Sequence, residues 1–97
     1  MQQRDAANWQ LIRSGDKAAF EQVFRQFYQP LCHYANSLLK DADEAEEVVQ
    51  NTFCNIWSKR QTLQVDVSLK AYLYRAVHND CLNRIKHLKV RDSYAGD

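Results

Sequence analysis

When the stretch Ser68–Lys89 is wound at about 3.6 residues per turn, Tyr72, Arg75, Asn79, Asn83 and Lys86 fall on one arc. That arc mixes two cations, two amides and an aromatic ring. Cations hold phosphates, amides pair with base edges and rings stack on base faces, so the set suits contact with an unpaired nucleic-acid strand. Asn79 carries a donor and an acceptor on one rigid amide, which complements a base edge. Arg75 lies one turn before it and Lys86 two turns after it, within reach of flanking phosphates. Residue type alone favours a plainer account, a solvated amide and a solvated basic face. Tyr72 is the ring on this arc that could stack, whereas Tyr74 and Trp57 fall on apolar arcs and are expected in the core.

The opposite arc of the same stretch holds Leu69, Leu73, Ala76, Val77, Cys81 and Leu88, the side a helix buries. The rest of the chain must supply a surface for that stripe. Its 97 residues suit one small domain, and 45% hydrophobic content is enough for one core. Two glycines and one proline leave few turn signals, which favours helices joined by short connections.

Residues 4–14 form a short helix anchored by Trp9, Leu11 and Ile12, with Gly15 as its stop and Asp16 as the cap of the next. Phe20, Val23, Phe24, Phe27, Leu31, Ala35 and Leu38 then recur at helical spacing, with a kink expected near 26–30 at Pro30. Asp43 is the expected cap of a third helix, with Glu44, Glu46 and Glu47 in its first turn, where the helix dipole favours negative charge. Its inner face runs through Val48, Val49, Thr52, Phe53, Ile56 and Trp57, leaving Glu46, Glu47, Gln50, Asn51 and Cys54 outside. Lys59–Val67 loses the helical period and reads as an ordered loop, ending at Ser68 as the cap of the fourth helix. The expected fold is all-α, a bundle of about four helices packed around Phe20, Phe24, Phe27, Val49, Phe53, Leu73 and Val77. The domain is expected to span residues 1–91, with 92–97 a tail or linker start, and the abrupt end suggests the first domain of a longer chain.

Charge divides unevenly. Residues 1–58 hold 5 Lys/Arg against 8 Asp/Glu, net −3, and residues 59–97 hold 8 against 4, net +4. The two halves therefore suit different partners. Cys32, Cys54 and Cys81 are widely spaced, without a CxxC pair, and read as free thiols in a reducing compartment. His78 and Cys81 lie one turn apart and His33 adjoins Cys32, but these do not assemble four ligands at structural-zinc spacing, so no metal or other cofactor is expected. No apolar run reaches the roughly 18 residues of a membrane span, no secretory h-region is visible, and the cytoplasm is the expected compartment. His33, His78 and His87 lack a nucleophile or carboxylate at a catalytic spacing, and no phosphate-cradling loop, HExxH or nucleophile elbow occurs. An enzyme is not expected.

The order GDKAAFEQVFRQFY, DADEAEEVVQNTFCNIW and LKAYLYRAVHNDCLNRIK resembles region 2 of the sigma-70 family, in its extracytoplasmic-function (ECF) branch. The blocks Glu46–Phe53 and Leu73–Asn79 carry the resemblance, which covers roughly residues 10–90. It implies a non-enzymatic helical domain that docks on the β′ clamp helices of RNA polymerase and binds the promoter −10 element as a single strand. Glu46, Glu47, Gln50 and Asn51 lie on the family's docking segment. Many members carry Glu where this chain has Asn51, which removes one charge-assisted contact. Asn79 matches the amide that helps read a flipped −10 base, and Tyr72, Arg75, Asn83 and Lys86 share its face. Asn83 stands where Asp is frequent. Arg84 matches a family Arg and lies within ion-pair reach of Asp80 on the helix. Lys59–Val67 corresponds to the loop that caps the extruded base. The resemblance admits an anti-sigma factor as a further partner and a separate −35-binding domain in a complete factor. A helical protein-interaction bundle that uses the acidic helix alone, without reading DNA, fits the same composition.

Overall fold

A computed structural model describes residues 3–65 and 68–95, with side chains described for 8–65 and 68–87. Four helices follow in order: α1 (Gln3–Arg13), α2 (Lys17–Leu39), α3 (Ala42–Ser58) and α4 (Leu69–Ala95). The described residues contain no strand, as the scarcity of turn residues leads one to expect.

The breaks between helices are chemically specified. Gly15 takes φ 98°, a left-handed conformation that a Cβ disfavours, and Arg60 lies close beside it. Asp16 then caps α2, its carboxylate accepting from the Ala19 N–H at 3.1 Å. Asp16→Ala is expected to cost about 1 kcal/mol. A thermal melt should read that as a fall of roughly 4–8 °C for a domain of this size. An unchanged melting temperature would contradict the capping role. Helix α2 is continuous across Pro30, whose exposed ring lies beside fully buried Leu31. It ends at Lys40, which adopts a left-handed φ of 56° and returns its N–H to the Asn36 carbonyl.

Asp41, rather than Asp43, caps α3, accepting from the Glu44 N–H at 3.1 Å. Starting α3 two residues earlier than the sequence suggests moves Glu46 and Glu47 out of its first turn, leaving Asp43 and Glu44 there. Ser68 starts α4 as expected, its hydroxyl accepting from the Ala71 N–H at 3.1 Å. Helix α4 continues to Ala95, beyond the Lys89 end that the apolar pattern suggests.

The core is built from stripes at helical spacing. Leu69, Leu73, Val77 and Cys81 recur every four residues along α4, at 2% exposure or less. They meet Val48, Val49, Phe53 and Ile56 of α3, and Val23, Phe27, Leu31 and Ala35 of α2. Each Val, Leu, Ile or Phe among them, removed from water, contributes roughly 1.5–3 kcal/mol. Trp9 and Ile12 attach α1 to this core, but Leu11 faces solvent. Phe20, Phe24 and Trp57, expected inside, form a half-buried aromatic rim instead. Phe20 lies 4.9 Å from Trp57, and Phe24 lies 4.9 Å from Phe53. Ala76 is half-buried at the edge of a groove, and the side chain of Leu88 lies outside the described residues.

Candidate nucleic-acid interface

Helix α4 packs its aliphatic stripe inward, so the arc that contains Arg75, Asn79, Asn83 and Lys86 faces outward, and all four are exposed. Tyr72 is half-buried and packs against the core edge. Tyr72, Arg75 and Asn79 line an open cavity of about 300 Å³ where α4 meets α3 and the following loop. The opposite wall comes from Asn55 and Ile56 of α3, and from Lys59 and Leu63 after it.

The loop forming that wall is held in place. Thr62 and Leu63 close turns onto the Lys59 carbonyl, at 3.1 and 2.9 Å. Arg60 stacks over Trp57 at 4.2 Å and donates to its carbonyl at 2.8 Å. Arg13 donates to the Gln61 carbonyl at 3.2 Å, tying the loop to the end of α1. Asp66 and Val67, the rest of the expected loop, lie outside the described residues.

The cavity is cationic at its rim, through Lys59 and Arg75, with the Asp80 carboxylate on its inner side. Burial raises the Tyr72 phenol above its ordinary range, and the charge of Asp80 adds to the effect. Tyr72 is thus a neutral ring at physiological pH, able to stack or donate. Asn55 escaped the sequence reading, although it follows Asn51 by four residues on α3, whereas Lys59 opens the loop that the resemblance assigns to the extruded base. The role of Asn55 arises only when α4 is laid alongside.

A second groove adjoins the first, sharing Asn55 and Asp80, and is lined by Asn51, Cys54, Asn83, Arg84 and His87. It brings Asn51 of the expected docking set together with Asn83 of the expected DNA-facing set. Lys86 lines neither groove.

Arg84 does not pair with Asp80. It reaches across to Glu44, and to Glu47 at 3.4 Å, bracing α4 against the start of α3. Burial alone would lower its pKa, but the hydrogen bonds it donates to these two carboxylates, with their charge, outweigh that and raise it. Gln50 donates to the Tyr28 hydroxyl at 3.2 Å and also borders an apolar groove of Phe20, Phe24, Phe53 and Trp57. Glu46 is exposed on the other side of α3, facing Tyr28, Cys32 and His33 of α2. Glu47, Gln50 and Asn51 are exposed as well.

Burial raises the Cys32 and Cys81 thiols above their ordinary range, which leaves neither activated as a nucleophile. Among the described residues no group of three or more His, Cys, Asp or Glu side chains comes together to hold a metal, and no helix is long and apolar enough to cross a membrane.

The family model described as Sigma-70 region 2 matches residues 23–91, from within α2 to well along α4. This chain belongs to the Sigma-70 region 2 family. The region 2 domain is of the ECF type. It is similar to the ECF RNA polymerase sigma factor SigM of Mycobacterium tuberculosis strains Erdman and H37Rv, at 26% identity over 77 residues in each. Those 77 residues are 79% of this chain but 39% of each relative, so the region 2 domain corresponds to well under half of SigM. No solved structure matches it. Sigma factors are not an enzyme family.

Proposed function

We propose that this region 2 domain acts in transcription initiation in the cytoplasm, docking on the β′ clamp helices of RNA polymerase and capturing an unpaired base of the promoter −10 element. The observation that carries this reading is the cavity of about 300 Å³ that gathers Asn79 with Tyr72, Arg75, Asn55 and Lys59 at the open face of α4. Extruding a base from a duplex costs a few kcal/mol of stacking and pairing, which a pocket must return through packing and hydrogen bonds. Here Tyr72 and Leu63 supply surface for the ring, Asn79 and Asn55 supply amides for its edge, and Lys59 and Arg75 supply charge for the adjacent phosphates. Holding the base outside the stack favours the melted state.

Docking falls to Glu47, Gln50 and Asn51, with Glu46 at the margin. The apolar groove of Phe20, Phe24, Phe53 and Trp57 abuts Gln50, which gives this face a hydrophobic centre beside a polar rim. SigM is named as an RNA polymerase sigma factor, which supports carrying the same partner over to this chain.

Asn79→Ala tests the base pocket. Loss of a base-edge pair of about 1–3 kcal/mol predicts a roughly 5- to 150-fold weaker affinity for a −10 single strand in the polymerase complex. Helix content and polymerase binding should not change, because Asn79 is exposed. Equal DNA affinity for variant and wild type would remove the base-reading role. Absence of specific single-strand binding by either protein, even in the presence of polymerase, would favour a protein-interaction bundle.

A further inference from the structure

Asp80 lines both the base cavity and the groove beside it, one residue after Asn79 and facing α3. Asp80 is half-buried, so its carboxylate reaches both the cavity and solvent. Among the described residues its carboxylate accepts one side-chain hydrogen bond, a long one at 3.4 Å from the Thr52 hydroxyl, which also lies 2.9 Å from the Val48 carbonyl. Arg84, one turn further along α4, is turned toward Glu44 and Glu47. Asp80 therefore keeps acceptor sites that solvent fills in the free chain and that a base entering the cavity would take over. Its charge is felt there, since it adds to the effect of burial on Tyr72.

We infer that Asp80 is a specificity-determining residue: the cavity accepts a base whose Watson–Crick edge carries an amino group and disfavours thymine. The inference rests on the base-pocket reading of the same cavity and goes beyond it by naming what the pocket selects. An ionised carboxylate only accepts hydrogen bonds. Cytosine, adenine and guanine each offer it an exocyclic N–H. Thymine offers a single ring N–H flanked by two carbonyl oxygens, which places acceptors against an acceptor. Selection of this kind works as much by repelling the wrong base as by holding the right one. Lys59 and Arg75 at the rim offset the carboxylate for the strand's phosphates, so Asp80 acts on the base rather than on the strand as a whole.

The test uses the chain assembled with bacterial RNA polymerase core and fluorescent thymidine single strands. One central position is varied among thymidine, deoxycytidine, deoxyadenosine and an abasic site. Wild type should bind the deoxycytidine and deoxyadenosine strands about fivefold or more tighter than the all-thymidine strand. Asp80→Asn keeps the size of the side chain and adds a donor that thymine O4 can accept, so the preference should fall to near unity or invert. Asp80→Ala should also flatten it. A wild-type preference that persists unaltered in Asp80→Asn overturns the role of Asp80 and leaves the pocket standing. Equal wild-type affinity for all four strands, including the abasic one, overturns the pocket reading itself.

Discussion

Glu47→Lys combined with Gln50→Ala is expected to abolish detectable binding to RNA polymerase core while helix content stays at the wild-type level. Both side chains are exposed on α3, and neither belongs to the apolar stripe. Reversing the charge at Glu47 sets a cation against the polymerase cation that the docking reading requires, and losing one partner of such a pair costs about 2–5 kcal/mol. Truncating Gln50 removes the amide beside the apolar groove and its bond to Tyr28. Together these predict an affinity loss of at least roughly 30-fold. The domain itself should tolerate the change, because the Glu47 side chain is 60% exposed and Arg84 keeps Glu44. A solvent-screened pair of this kind contributes only about 0–1 kcal/mol. Pull-down on polymerase core, with circular dichroism on the same samples, checks both halves. Unchanged capture would remove the docking role from this face.

Leu73→Ala has the largest expected effect on stability. Leu73 is 0% exposed on α4, between Leu69 and Val77, where α4 meets α2 and α3. Truncating such a leucine costs about 2–5 kcal/mol, through lost transfer energy and the cavity left behind. Domains of this size rarely hold more than about 5–15 kcal/mol in total. The melting temperature should therefore fall by on the order of 10 °C or more. Leu82→Ala makes the control: that leucine is 42% exposed on the same helix and should shift stability by no more than about 0.5 kcal/mol. Similar melts for the two variants would mean that the buried stripe of α4 has been misplaced.

Much of this architecture was legible from spacing. The four-residue recurrence of Leu69, Leu73, Val77 and Cys81 places α4, and Gly15, Asp16 and Ser68 mark helix boundaries through specific backbone chemistry. Where the sequence reading failed, the deciding contact lay in another element. Local spacing pairs Arg84 with Asp80, yet packing α4 on α3 brings Glu44 and Glu47 into reach. Two aspartates stand two residues apart at the start of α3, and spacing alone does not choose Asp41 over Asp43 as the cap.

Periodicity also assigns Phe20, Phe24 and Trp57 to the core. A helix face is wider than the surface its neighbours cover, however, so these rings end on a rim. The candidate site divides in the same way. Its α4 wall of Tyr72, Arg75 and Asn79 follows from one helical arc, and Lys59 and Leu63 fall in the loop that the resemblance assigns to the base, whereas Asn55 joins it only through tertiary packing. Asp80 shows both sides of this: it lies beside Asn79 in sequence, but only the packed structure shows that Arg84 pairs with Glu44 and Glu47 instead of with it.

The most direct test is a double-mutant cycle between the Asn79 amide and the strand. Affinities of wild type and Asn79→Ala, each bound to polymerase core, are measured against a −10 single strand and a series carrying one abasic site at successive positions. A base held by Asn79 predicts one position at which the abasic loss and the alanine loss fail to add, with a coupling of about 1–3 kcal/mol. Additive losses at every position would contradict capture of an unpaired base in this cavity.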